Sequence, residues 1–96
     1  MRLCFHRAVH SEVDEICDWY DERRDGLGNE FFQEVERVLK VISSHPTFFS
    51  PHTHGRRKAP LKRFPYGIFY RILDDRIRVL AICHDKRDPN YGVHRR

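Results

Sequence analysis

The sequence predicts an α+β fold of order β-α-α-β-β-β, a helical hairpin packed on one face of a small, mostly antiparallel sheet. Three observations carry this. A period-two segment at the start gives way near Val9 to two amphipathic stretches of helical period with a glycine-bearing turn between them. A loop with prolines and a glycine ends the helical part. Two alternating apolar segments joined by Asp74-Asp75 form the last third. At 96 residues, 1–96 suits a single domain.

Leu3 and Phe5 alternate with Arg2, Cys4 and His6, so a first strand is expected over 2–7. Its apolar residues need cover, which suggests a place in the sheet interior beside a later strand. Val9, Val13, Ile16, Cys17 and Tyr20 then fall on one helical face, while Glu12, Asp14, Glu15, Asp18 and Asp21 fall away from it. Asp25-Gly26-Leu27-Gly28 ends this helix, because glycine readily takes a positive φ. Asn29 suits the N-cap of a second helix whose stripe is Phe31, Phe32, Val35, Val38, Leu39 and Ile42. His45-Pro46 stops it, since the residue before proline is pushed out of the α region.

Residues 46–55 have no sustained period and read as a loop. A strand within 56–64 belongs at a sheet edge, because Pro60 cannot donate to a ladder. Strands over 66–73 and 76–84 form a hairpin in which Asp74-Asp75 tolerates left-handed geometry. Strict alternation turns Ile77, Val79, Ala81 and Cys83 toward the helices and leaves Arg76, Arg78, Leu80, Ile82 and His84 on the open face. With Ile68, Tyr70 and Ile72 also inward, Phe69, Arg71 and Leu73 join that open face.

Hydrophobic residues make up 40% and charged residues 33%, a balance that suits a soluble globular domain and excludes a disordered tail. No apolar run approaches the roughly 18 residues of a membrane span. Charge also interrupts the first residues too early for a secretory signal, so a cytoplasmic location is expected. Cys4, Cys17 and Cys83 are odd in number and lack CxxC spacing, and are expected to be buried thiols. His45, His52 and His54 have no cysteine or carboxylate nearby in sequence, so no metal or other cofactor is expected.

The net charge of +4 is unevenly divided. Residues 1–54 hold 6 Lys/Arg against 10 Asp/Glu, and residues 55–96 hold 12 against 4. The basic second half suits phosphates or an acidic protein partner.

Phe64-Pro65-Tyr66-Gly67-Ile68-Phe69-Tyr70-Arg71, then Val79-Leu80-Ala81-Ile82-Cys83-His84 and Arg87-Asp88-Pro89, resembles the C-terminal signature of the RelE/ParE toxin superfamily. Ala8 at the start of helix one, Trp19-Tyr20, Gly28-x-x-Phe31 and His45-Pro46 extend the resemblance over nearly the whole chain. It implies the same fold and the role of toxin in a type II toxin–antitoxin pair, a growth inhibitor of the kind that serves plasmid stabilization. The cognate antitoxin would be its partner. It implies two branches: RelE-like toxins cleave messenger RNA in the ribosome, and ParE-like toxins inhibit DNA gyrase without being nucleases. The fold cannot choose between them.

Metal-free RNA cleavage needs a base for the 2′-hydroxyl, cations for the phosphorane and an acid for the leaving oxygen. His84 is the best proton-transfer candidate, with an unperturbed pKa near 6.5. Tyr91 is the second, in the short tail where RNA-cleaving relatives place a functional aromatic or histidine. Arg56, Lys62, Arg71, Arg78 and Arg87 are the candidate cations for a nucleic acid or protein target. Plainer roles stand beside these: Arg71 anchoring the sheet through a carboxylate of helix one, Arg87 pairing with Asp88, and Tyr66 and Tyr70 as core aromatics with bonded hydroxyls. A carboxylate base has no counterpart on the open strands, which favours the ParE-like branch and a binding inhibitor. RelE-like endoribonuclease and non-toxic antitoxin-binding orphan are the alternatives. An acidic amphipathic antitoxin segment is expected to be steered to the basic half and to bury apolar residues around the open sheet face.

Overall fold

The computed structural model describes residues 1–96. The elements are β1 (Arg2–Phe5), α1 (Ala8–Arg23), α2 (Leu27–Ser44), β2 (Arg57–Pro60), β3 (Tyr66–Ile72) and β4 (Arg76–His84), with a 3-10 turn at Thr53–Gly55. The sheet runs β1-β4-β3-β2; β1 is parallel to β4 and the other pairs are antiparallel. The order β-α-α-β-β-β is as expected, but β1 lies at an edge of the sheet rather than in its interior. Pro60 lies on the opposite edge strand, where its missing N–H costs no ladder bond.

The helical hairpin closes through two glycines. Gly26 takes φ 85° at the start of α2, so the helix begins two residues before Asn29, which therefore caps nothing. Gly28 is helical and pressed against α1: a Cβ there would lie 2.4 Å from the Cys17 carbonyl oxygen. Its N–H donates to Asp21 Oδ1 at 2.7 Å, fastening the two helices.

Val9 and Val13 of α1, with Phe31, Val35, Val38 and Ile42 of α2, pack on Ile68, Tyr70, Ile77, Val79 and Ile82 of the sheet. Phe31 is fully buried, with ring centroids 5.5 Å from Tyr20, 5.2 Å from Phe64 and 5.3 Å from Tyr66. The Tyr70 hydroxyl donates to the Pro46 carbonyl at 2.7 Å and ties the loop after α2 to the core.

One irregularity redirects β4. Tyr70 pairs with Val79 but Phe69 pairs with Ala81, so Leu80 is an extra residue and the alternation inverts there. Ile77 and Val79 face the helices as expected; beyond the bulge Ile82 does so instead, and Ala81 and Cys83 pack with Phe69 on the other face. His84, paired with Tyr66, thus falls on the helix side. The Asp74-Asp75 hairpin closes with Leu73 N–H donating to the Arg76 carbonyl, but neither aspartate has positive φ. Phe32, expected in the buried stripe, is 42% exposed.

Glu34 is buried on α2 and accepts the backbone N–H groups of Lys62 at 2.6 Å and Arg63 at 2.8 Å, with Arg37 at 3.3 Å. Burial pushes its carboxyl upward, but these N–H groups and the guanidinium outweigh burial and hold it below the ordinary glutamate value. Its stabilisation is therefore complete above the unfolded-state pKa of about 4.3 and is lost as pH falls through the lower folded value. Glu34→Ala leaves two backbone donors without their acceptor and is expected to cost about 2 kcal/mol at neutral pH, measured by urea unfolding.

Candidate functional site

The sheet face away from the helices carries the cationic residues. Arg71 of β3 pairs directly with Arg78 of β4, and continuing the β2–β3 register by one residue sets Arg56 beside Arg71. The three arginines form one row across three strands, spaced by about 4.8 Å from strand to strand. Arg76 lies one side-chain step further along β4 and pairs with Asp75 at 2.8 Å. Neither Arg71 nor Arg78 bonds a carboxylate of α1: Arg71 donates to the His54 carbonyl at 2.8 Å, and Arg78 to those of Phe5 at 2.9 Å and Arg96 at 3.1 Å.

Half of this face is not open. The segment 85–96 folds back over Phe69, Ala81 and Cys83 and sets Tyr91 on them. Arg56 is 1% exposed beneath it, donating to the carbonyls of Tyr91 at 2.8 Å and Pro89 at 3.0 Å and lying 4.1 Å over the Phe69 ring. Arg56 thus holds the C-terminal segment and has no free surface for a target. The apolar residues expected to receive an antitoxin on this face are covered by the chain itself.

The same segment completes the edge of β4. β1 covers β4 only from Arg76 to Val79. Beyond it, Glu12 Oε1 accepts the Ile82 N–H at 3.4 Å and Arg95 donates to the Leu80 carbonyl at 3.1 Å. Glu12 also accepts from the Tyr91 hydroxyl and pairs with Arg95 at 2.8 Å. Burial and the Glu12 carboxylate raise the Tyr91 phenol above its ordinary pKa, opposed by Arg95. The sequence reading missed Glu12 and Arg95; the i,i+4 spacing of Tyr91 and Arg95 was the one available signal.

The remaining candidates are dispersed. His84 stacks edge-on with Tyr66 at 5.1 Å, and its Nδ1 accepts the Lys86 N–H. It faces away from Arg71 and Arg78, while the Tyr91 hydroxyl is engaged by Glu12. Lys62 is exposed on the β2–β3 connection, beside the Glu34 contact. Arg87 is exposed and lies 4.5 Å over the Tyr91 ring; Asp88 accepts the Asn90 N–H instead of pairing with it. Of the two proton-transfer candidates, Tyr91 is brought together with Arg56 and Arg87 but has its hydroxyl engaged by Glu12 and Arg95, and His84 is set apart from Arg56, Arg71 and Arg78.

On the helix side an apolar cleft of about 400 Å³ opens between α1, α2 and the end of β1, lined by Phe5, Val9, Val13, Phe32, Leu39 and Ile82. Phe5 and Phe32, 45% and 42% exposed, form its lips, and His6, Arg7, His10 and Glu36 supply polar rim.

His6 joins the two regions. Its Nδ1 accepts the Ala8 N–H at the start of α1, which requires that nitrogen unprotonated. Burial, then the charges of Arg95, Arg78 and Arg7, lower its pKa below 6.5, against a smaller opposing effect of Glu12. The unfolded chain therefore binds the proton first, and stability from His6 is complete above about pH 6.5 and falls as pH drops toward the lower folded value. Urea midpoints are expected to fall between pH 7.5 and 5.5, with a smaller drop in His6→Gln.

Residues 3–89 match the family model described as "ParE toxin of type II toxin-antitoxin system, parDE". Toxin ParE2 of Mycobacterium tuberculosis, in strains CDC 1551 / Oshkosh and ATCC 25618 / H37Rv, is 31% identical over 90 residues, covering 93% of this chain and 86% of the relative. A chain from the structure of the chromosomal ParDE TA system from P. aeruginosa superposes with a TM-score of 0.78, at 20% identity, over 88% of this chain and 95% of that one, and so shares the fold. With the family match spanning nearly all of the sheet and both helices, this chain belongs to the ParE family of type II toxin–antitoxin toxins, whose pairing implies a cognate antitoxin.

Proposed function

We propose that the chain is a binding inhibitor of DNA gyrase that carries out no cleavage of its own. The observation that carries this reading is the placement of His84 on the face of the sheet opposite the Arg71–Arg78 pair, where it cannot move a proton at a phosphate they grip, while Tyr91, on their own face, has its hydroxyl engaged by Glu12 and Arg95. Inhibition by binding needs only rigid surface, and the cationic face and the helical hairpin both supply it.

Neutralisation follows from the helix side. The antitoxin segment is an amphipathic one that seats bulky apolar side chains between Phe5 and Phe32 and turns acidic residues to Arg7 and the neighbouring cations. Added salt is expected to slow association more than it speeds dissociation; the reverse in a salt series contradicts steering by charge.

The target is tested by a supercoiling assay with purified chain. Loss of supercoiling activity at stoichiometric excess, restored by the co-purified antitoxin, is the expected result. Unaffected supercoiling together with message cleavage in a translating extract overturns the reading in favour of a nuclease.

A further inference from the structure

We propose that Arg71 and Arg78, with Arg76 beside them on the open sheet face, form a binding surface for the phosphate backbone of duplex DNA, independent of whichever protein the toxin inhibits.

Arg78 and Arg71 are direct cross-strand partners, and Arg56 continues the row on the next strand. Like charges placed directly opposite destabilise a sheet. No Asp or Glu side chain lies within ion-pair distance of Arg56, Arg71 or Arg78, although eight ion pairs form elsewhere, and Arg71 and Arg78 are met only by main-chain oxygens of His54, Phe5 and Arg96. The buried Arg56 guanidinium is balanced only by carbonyl oxygens and the Phe69 ring, and its charge adds to the field around Arg71. An external anion is the partner the row lacks.

Positioning is built in. His54, a non-glycine residue at φ 61°, directs its carbonyl to Arg71 from a left-handed backbone, a strained conformation of the kind that persists at ligand sites. The Phe5 carbonyl does the same for Arg78. Arg71 and Arg78 are half-exposed, and their carbonyl contacts engage one and two of their guanidinium nitrogens, fewer than their five N–H donors.

The chemistry of the surroundings selects the ligand. A protein partner needs apolar anchors at the centre of its interface, and on this face Phe69, Ala81 and Cys83 are covered, at 3%, 0% and 6% exposure. Single-stranded nucleic acid needs exposed aromatic platforms, and Phe69 and Tyr91 are both stacked beneath other groups. A flat row of forked donors with charge and no socket suits the regular, rigid phosphates of a duplex.

The test is fluorescence anisotropy of the purified full chain with a short labelled duplex at increasing salt, with no topoisomerase present, so that its outcome is separate from the supercoiling result. Binding is expected to weaken with salt at a log–log slope of roughly −2 to −3. Arg71→Gln with Arg78→Gln is expected to weaken it at least about tenfold and to reduce the slope by about 2, while Lys40→Ala on the outer face of α2 leaves it unchanged. Chemical-shift mapping on the wild-type chain gives a readout independent of the variants' folding: shifts centred on Arg71, Arg76 and Arg78 support the site. Absence of duplex binding, shifts centred elsewhere, or equal affinity in a folded double variant overturns it. Tighter binding of single-stranded RNA, or of a polyglutamate peptide, also overturns it, the latter in favour of an acidic protein ligand.

Discussion

Phe31→Ala is expected to lower the unfolding free energy by about 3–5 kcal/mol, the range for truncating a fully buried aromatic. Phe31 enters from the start of the second turn of α2 and meets Tyr20 of α1, Phe64 of the β2–β3 connection and Tyr66 of β3, so one truncation strips contacts from every layer. Tyr20 and Phe64 also touch each other at 5.0 Å and cannot both collapse into the space without losing their own packing. Small domains have only about 5–15 kcal/mol to lose, so the unfolded fraction is expected to rise by roughly a hundredfold or more. Urea unfolding by circular dichroism measures this. A loss below 1 kcal/mol would show that the aromatic cluster is not the keystone of the hairpin–sheet contact. Phe31→Leu, which keeps most of the volume, is expected to recover much of the loss.

Arg56→Ala is expected to cost about 3 kcal/mol and to free the C-terminal segment. The substitution removes the donors that hold the Pro89 and Tyr91 carbonyls and the group stacked on Phe69. The consequence is local as well as global, because Cys83 lies under that segment at 6% exposure and burial raises its thiol pKa. Its modification by a thiol reagent is expected to accelerate far more than that of Cys4 or Cys17, which are already half-buried. Arg56→Met retains bulk over the ring but not the donors; segment release in Met and Ala alike assigns the hold to hydrogen bonding. A Cys83 rate unchanged in both variants would mean that the segment is held by Glu12, Tyr91 and Arg95 alone.

The two predictions bear on the two faces of the molecule, which were not equally legible in the sequence. The helix side was: the spacing of Val9, Val13, Phe31, Val35, Val38 and Ile42 announces two buried stripes, and these residues are the core. Pro60 announced an edge strand, and the Phe-Pro-Tyr and His-Pro patterns announced the family. The sheet side was half legible. Arg71 and Arg78 were expected together and are together. His84 was expected with them and lies on the other face, because a bulge at Leu80 reverses every residue after it, and neither composition nor alternation marks a bulge. Arg56 was expected at the surface and is the most deeply buried charge.

What the amino-acid sequence determines by itself is the order of elements, the face each helix buries and the concentration of positive charge in the second half, since these follow from periodicity and residue chemistry along the chain. Only tertiary structure decides which of those charges are spent within the fold and which face outward. That choice depends on where 85–96 returns to the sheet and on a strand edge left bare by a short β1, contacts between residues such as Glu12 and Tyr91 whose separation along the chain leaves no local trace.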